Sequence, residues 1–519
     1  MTDLLSDFRE LIKKYEVSTP AGRLEALLAQ LKPEKADQFK LCAIPHQFNP
    51  TILMCLDPEL TSNEAAKKVC REFGEFPTVR TFSNDLNEIR DEVRSYLFEQ
   101  WLQPDREDSF KFASQRLVGY FTTLDDTDKS LTRDARNINR IFHLIAVDRD
   151  KGFEEFEAYI REKRQNFALD QAESLLRIVH EYDTVFTPAE TAVVAYHEGK
   201  VASDRARWDQ AAKLFEQVLN IPDADPALRT KAMVRLGLVD DQNRRWPAAI
   251  KRFYEALDEL KKVNDPKLSK TLKYRIKLDL GIAYRDLGDL AQAKRLIGEG
   301  LQDARRIRSH SGCAVAYNSL GTLYRKLGES KRAIRCYEKS LLQLQNKDEI
   351  FRVGQVFNNL GLAYVDDQQW EKGKEALKQS QVIKRQLGDT IGLGRTYNNL
   401  MQVFRKQQLV DEAIQSGECA VSLFREVGDD YERAVALRNL GRLSRSLKRL
   451  DDAKKYFGEA IYAFQLAGAI GDAASSNEEY NILMRKIPLP WWAWASFIGS
   501  VIIVLLGIAL ISFALLAAI

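Results

Sequence analysis

Three asparagines stand 40 residues apart, at Asn318, Asn358 and Asn398. A side-chain amide carries donors and an acceptor together, which suits holding the backbone of an extended peptide. Asparagine is a poor helix former, so three in register inside helical sequence ask for a reason. A polar ladder between neighbouring helices, or plain duplication, is the alternative. Arg325, Lys326, Arg395, Arg405, Lys406, Arg442 and Arg445 recur in the same stretch with few acids among them, Asp366 being one. That balance points to an acidic or carboxylate-bearing partner segment, against the simpler reading of a solvated charged face.

Catalytic chemistry finds no such register. The five histidines, His46, His143, His180, His197 and His310, show no metal-ligand spacing. Nor does the chain hold a Cys–His or GxSxG nucleophile motif, a kinase signature or a GxGxxG after a strand. His143 and His180 lie in apolar helical contexts and read as core residues. The six cysteines are scattered with no CxxC pair, which reads as reduced, buried thiols rather than a disulfide or zinc framework. The chain is read as a non-enzyme, with no metal and no cofactor.

The elements that position the asparagines repeat. Leu280-Gly281, Leu320-Gly321, Leu360-Gly361, Leu400-Met401 and Leu440-Gly441 follow one another at a 40-residue step. Twelve residues after each glycine position comes a small residue: Ala293, Ala333, Gly373, Ala413 and Ala453. Four further on stand Ile297, Tyr337, Leu377 and Phe457, with Gly417 as the exception. Two less regular units precede them, at Gly199/Ala211/Phe215 and Gly237/Ala249/Phe253. Small residues let antiparallel helices approach, and the large apolar ones fill the space between neighbouring pairs. Gly388, Gly428 and Gly468 fall where each second helix should end, with glycine free to take the left-handed cap conformation.

These residues resemble the tetratricopeptide repeat in a long, 40-residue form, over about Thr187–Glu478 and some seven units. The resemblance implies a mainly α protein, an α-α superhelical solenoid whose concave groove binds peptides or partner proteins, and it names no ligand. In that family the helix face three places before each key glycine lines the groove. This places Asn318, Asn358 and Asn398 there, with the seven basic residues around them.

Ahead of the repeats, Thr2–Glu16 reads as an amphipathic helix and Ser18–Gly22 as a turn. Ile44-Pro45, Phe76-Pro77-Thr78-Val79 and Leu86-Asn87-Glu88-Ile89-Arg90 resemble the winged-helix-like module that follows the nucleotide-binding domain in bacterial signalling ATPases of the STAND class. There the last string opens a helix, and its usual histidine is Asn87 here. Asn139–Asp148 with Gly152 resembles the helical linker of the same proteins. The chain departs from that class in having no Gly-rich phosphate loop ending in Gly-Lys-Ser/Thr, so the resemblance implies a sensor half without its ATPase, with a separate ATPase or signalling protein as a further partner. The expected recognition helix, Thr61–Phe73, offsets Lys67, Lys68 and Arg71 with Glu64 and Glu72. Nucleic acid is therefore not an expected partner.

The 77 Lys and Arg against 74 Asp and Glu leave a net charge of +3, too little for a general polyanion binder. Met1–Lys14 has no apolar core and reads as no signal peptide. From Ile487 to Ile519 there is no charged residue, and Ala495–Ala517 supplies 23 residues, about 34 Å of helix against a hydrocarbon core of roughly 30 Å. Trp491, Trp492 and Trp494 precede it, after Arg485 and Lys486. The expectation is a tail anchor with residues 1–486 on the cytoplasmic side.

The expected organisation is a helical segment at 1–39, a small winged-helix-like α/β module at 40–105, a helical linker at 106–186, repeats at 187–486 and a transmembrane anchor at 487–519. The expected function is a membrane-anchored scaffold or sensor that recruits a peptide or protein partner. The alternative is the sensor–effector of a prokaryotic signalling or defence system acting on the membrane through its last helix. A third reading, a membrane-tethered transcription regulator, requires the module to bind DNA.

Overall fold

The structure is a computed structural model and describes residues 22, 24–25, 28–82, 86–124, 131–222, 224–344 and 350–486. The expected helix Thr2–Glu16, most of the turn Ser18–Gly22, the three tryptophans and the apolar run Ala495–Ala517 lie outside the described residues. Among the described residues no helix is long and apolar enough to cross a membrane. The chain divides into two compact units, the first running to Ala283 and the second beginning at Tyr284.

In the first unit, helices α1 (Pro33–Leu41), α2 (Pro50–Leu56) and α3 (Asn63–Gly74) precede a short antiparallel hairpin of β1 (Val79–Thr81) and β2 (Asn87–Ile89). Val79 pairs with Ile89 and Thr81 with Asn87, while Phe48 bridges Asn87 from the other side. The string Leu86–Arg90, expected to open a helix, instead supplies β2. Asn87 exchanges backbone bonds with Phe48, and helix α4 (Asp91–Trp101) starts directly afterwards. The alternation of buried Asn87 and Ile89 around half-buried Glu88 is the strand signature that the family string masks.

Helices α5 (Glu107–Thr123), α6 (Arg133–Val147), α7 (Arg149–Gln165) and α8 (Leu169–Val179) follow. Their shared core includes Phe39, Phe73, Phe98, Phe142 and Phe156, each 0–2% exposed, and burying one such ring stabilises by about 1.5–3 kcal/mol. Arg94, 5% exposed, donates to both oxygens of Glu181 at 2.8 Å and to the carbonyls of Pro45 and Ile44 at 3.2 and 3.4 Å. The Ile44-Pro45 entry is thus fixed by a buried guanidinium. Gly152 is required for packing, because a Cβ there would lie 2.6 Å from Cα of Ile145.

From Thr187 the chain forms helix pairs. A capping box of Thr187 and Glu190 starts α9 (Pro188–Asp204), which pairs with α10 (Trp208–Asn220). Next come α11 (Pro226–Gln242), α12 (Trp246–Glu259) and α13 (Pro266–Leu287), which carries the boundary between the units. The second unit continues with α14 (Leu290–Arg306), α15 (His310–Lys326), α16 (Ser330–Gln343), α17 (Ile350–Asp366), α18 (Trp370–Leu387), α19 (Thr390–Lys406), α20 (Val410–Val427), α21 (Asp430–Ser446), α22 (Leu450–Leu466) and α23 (Ile470–Lys486).

The key glycines act through close approach. A Cβ at Gly321 would lie 2.5 Å from the Tyr337 ring, and one at Gly361 2.7 Å from Leu377. Where Met401 replaces the glycine, the large partner becomes Gly417, whose Cβ would meet the Met401 sulfur at 2.7 Å. The exception in the sequence is therefore an exchange of volume across one contact. Gly388, Gly428 and Gly468 take φ of 71°, 73° and 68°. The turns within helix pairs need the same conformation and mostly lack glycine, since Gln368, Gln408 and Lys448 sit at φ of 60–62°. The last helix among the described residues is α23, whose Asn477 and Asn481 are exposed where α21 buries Leu437 and Gly441. The same helix also exposes Ile470, Ile482 and Met484.

Candidate functional site

The first helices of successive pairs, α15, α17, α19 and α21, present one face in register because the repeat step is constant. Asn318, Asn358 and Asn398 lie half-buried on that face. Each accepts through Oδ1 from an asparagine 41 residues later: Asn359 at 3.0 Å, Asn399 at 2.9 Å and Asn439 at 3.1 Å. The ladder therefore has two rows, of which the 40-residue spacing marked one. Its carbonyl oxygens face along the array. Among the described residues the Nδ2 groups of Asn318 and Asn398 have no partner, and that of Asn358 reaches only Asn359 Oδ1 at 3.4 Å.

The basic residues are mostly engaged, contrary to the count of few acids beside them. Arg325 donates to Asp366 at 2.7 Å, and Lys326 to Asp286 at 3.0 Å. Arg395 donates to Glu432 at 2.7 Å. Arg442 forks onto Glu479 at 2.5–3.1 Å, and Arg445 approaches the same carboxylate at 3.4 Å while lying over the Phe457 ring. These partners come from the neighbouring repeat, so they are distant in sequence. Exposed Arg405 and Lys406, at the end of α19, have no ion-pair partner among the described residues and carry the local surplus of charge.

Behind Asn358 the site continues inward. Lys384 of α18, 3% exposed, donates to Thr396 Oγ1 at 2.8 Å and to the Gly392 carbonyl at 3.0 Å. Thr396, fully buried, holds its hydroxyl between the Gly392 carbonyl at 3.0 Å and Asn358 Oδ1 at 3.2 Å, with Ser380 Oγ at 3.3 Å. Burial pushes the Lys384 amine down to about 8, with Arg395 adding to the shift and Asp389 opposing it.

In the first unit the corresponding positions of α9 and α11 carry other chemistry. Tyr196 hydrogen-bonds Arg235, 39 residues on, which puts an aromatic and a guanidinium at the two ladder positions, three and two places before the key glycines Gly199 and Gly237. His197 meets Glu157 at 3.4 Å, and burial pushes its imidazole down to about 4. Lys200 lies over the Tyr196 ring, its amine pushed down to about 6 by burial and by Arg164 and Arg235. Of the two histidines read as core residues, His143 is fully buried beside Ser114. His180 is not; its half-exposed ring contacts Asp183 and Glu198, which raise it to about 9 against the pull of burial. Cys42, Cys70 and Cys313 are buried, while Cys55, Cys336 and Cys419 are only half-buried.

The tetratricopeptide repeat family model matches residues 272–341 and 392–465, and the chain carries tetratricopeptide repeats. No curated protein matches it. Among solved structures, a STAND protein with a tetratricopeptide repeat sensor from Pyrococcus horikoshii is similar at 13% identity and a TM-score of 0.45, over 88% of this chain and 67% of that one. A Rap protein complexed with competence and sporulation factor is similar at 14% identity and a TM-score of 0.44, over 64% of this chain and 98% of that one. NprR in complex with its cognate peptide NprX is similar at 14% identity and a TM-score of 0.41, over 52% of this chain and 83% of that one.

Proposed function

We propose that this chain is a non-enzymatic scaffold or sensor that holds an extended peptide or protein segment against the ladder face of α15, α17, α19 and α21. One observation carries the reading. The carbonyl oxygens of Asn318, Asn358 and Asn398 are occupied within the array, which leaves amide donors for backbone carbonyls of a ligand. Arg325, Lys326, Arg395, Arg442 and Arg445, paired with neighbouring acids, orient rather than attract. Arg405 and Lys406 supply the unpaired charge for an acidic residue of the partner.

Residues 40–105 form a winged-helix-like module in this reading, with the 106–186 linker and the 187–486 repeats behind it, and a separate ATPase or signalling protein docks on the module. The uncharged run 495–517 anchors the chain in a membrane, with residues 1–486 facing the cytoplasm. The test is selection of a random peptide display library on the purified chain, beside the Asn318/Asn358/Asn398→Ala variant. Peptides retained by the parent and lost by a variant of unchanged helicity support the groove. Equal retention places binding elsewhere.

A further inference from the structure

A column of buried positions follows the second helices of the repeats at a 40-residue step: Ala304, Leu344 (just past the end of α16), Lys384, Phe424 and Phe464. One member is a lysine. The facing column on the first helices reads Val356, Thr396 and Ala436, and there one member alone carries a hydroxyl. The two polar exceptions meet each other, Lys384 Nζ lying 2.8 Å from Thr396 Oγ1. Burying an ammonium is costly unless it serves a purpose or is paired, and Lys384 has no carboxylate within ion-pair distance among the described residues. Its relay ends on Asn358, the central asparagine of the groove row.

We infer that Lys384 is a positioning residue that makes the repeat around Asn358 the carboxylate-binding subsite of the groove. This rests on the groove reading above. The mechanism has two parts. Lys384 donates to Thr396, whose hydroxyl lies between two acceptors, the Gly392 carbonyl at 3.0 Å and Asn358 Oδ1 at 3.2 Å; Lys384 also donates to that carbonyl, and Asn399 donates to the Asn358 oxygen at 2.9 Å. The Asn358 amide is thereby held with its oxygen inward and its N–H groups toward the groove. The buried positive charge beneath then favours an anion over a neutral carbonyl at those donors, in a setting that screens it less than water does. At the equivalent places near Asn318 and Asn398 the columns hold Leu344/Val356 and Phe424/Ala436, so those subsites have neither relay nor charge.

The charged groups around Lys384 are Asp389 at the start of α19, which accepts from the Gly392 amide, and Arg395 on α19, held by Glu432; α17 offers the Gly354 carbonyl to Ser380 and the Asn358 side chain. A bound carboxylate stabilises the protonated amine, so affinity for it is greatest below pH 8 and falls as pH rises through about 8. The carboxylate can come from an Asp or Glu side chain or from a chain terminus.

The probes are three random decapeptide libraries incubated with the full-length protein: free C-termini, amidated C-termini, and amidated without Asp or Glu. Retained peptides are read by mass spectrometry at pH 7 and pH 9. The wild type should enrich carboxylate-bearing peptides about tenfold at pH 7 and lose that preference at pH 9; comparison of the first two libraries tells terminus from side chain. Lys384→Met, which takes the apolar character of Leu344 and Phe424, should retain peptides without the preference. Thr396→Val, which copies Val356 of the preceding repeat, should weaken it while leaving the lysine. Peptides retained equally by wild type and both variants, with one pH profile, overturn the inference but not the groove. Failure of any library to bind the wild type overturns both.

Discussion

Exchanging the volumes of Met401 and Gly417 puts a number on how tightly the repeat specifies its packing. Gly417→Leu restores the residue type found at Leu377, but Met401 still fills the space. The new Cβ alone would stand 2.5 Å from Leu440 Cδ2 and 2.7 Å from Met401 Sδ. Both are ends of flexible side chains, so the array gives way rather than breaks, at a cost of about 1–3 kcal/mol for overpacking. Met401→Gly removes a fully buried side chain, a loss of about 2–5 kcal/mol, and adds about 1 kcal/mol for glycine within a helix. The double variant recreates the Gly361/Leu377 arrangement, in which Leu377 is fully buried. It should be less destabilised than the sum of the singles by about 2 kcal/mol or more. Hydrogen exchange of peptides from α19–α21 reads this directly, since each 1.4 kcal/mol of local stability is about tenfold in protection. Additive losses in the double variant would refute the volume exchange.

Two further outcomes follow from the backbone and from a buried charge. Replacing Gln368, Gln408 or Lys448 by glycine should each stabilise the array by about 1 kcal/mol, because each now holds a left-handed turn at φ near 60°; urea midpoints of the single variants check it. Lys200 is pushed down to about 6 in the folded chain from an ordinary 10.5, so the unfolded state binds the extra proton between those values. Stability of the first unit should therefore rise with pH from about 6 toward 10, and Lys200→Met should flatten that rise and stabilise the unit near pH 7. Parallel pH profiles of parent and variant in thermal unfolding would contradict it.

The repeat was legible because one physical problem, fitting a large side chain against a glycine on the facing helix, recurs every 40 residues with the same solution. Even Gly417 was visible as an exception; that Met401 is its complement needed the 2.7 Å approach of the two. The first row of asparagines was legible for the same reason. The second row, Asn359, Asn399 and Asn439, left a signal in the Asn-Asn doublets at 358–359 and 398–399, each followed 41 residues on by the next partner. The ion pairs were hidden because Glu432 and Glu479 lie 37 residues beyond Arg395 and Arg442, a spacing that means contact only once the superhelical offset is known. Lys384 could have been found as the one charged residue in an apolar column. At Leu86–Arg90 a period-two pattern competed with a family string that opens a helix, and the pairing of Asn87–Ile89 with Val79–Thr81, with Phe48 bridging Asn87, decided for the strand.

The groove reading turns on which atoms of the asparagines a ligand uses. Asn318, Asn358 and Asn398 changed together to Asp keep the oxygens that accept from the second row but lose the N–H donors. Asn359, Asn399 and Asn439 changed to Ala cut the ladder and leave those donors in place. Calorimetry of a library-selected peptide against both triple variants separates the two. Donation to the ligand from the first row predicts that the Asp set abolishes binding and the Ala set weakens it to a lesser degree. Equal affinity of parent and Asp set, with loss confined to the Ala set, would contradict it and reduce the asparagines to a structural ladder.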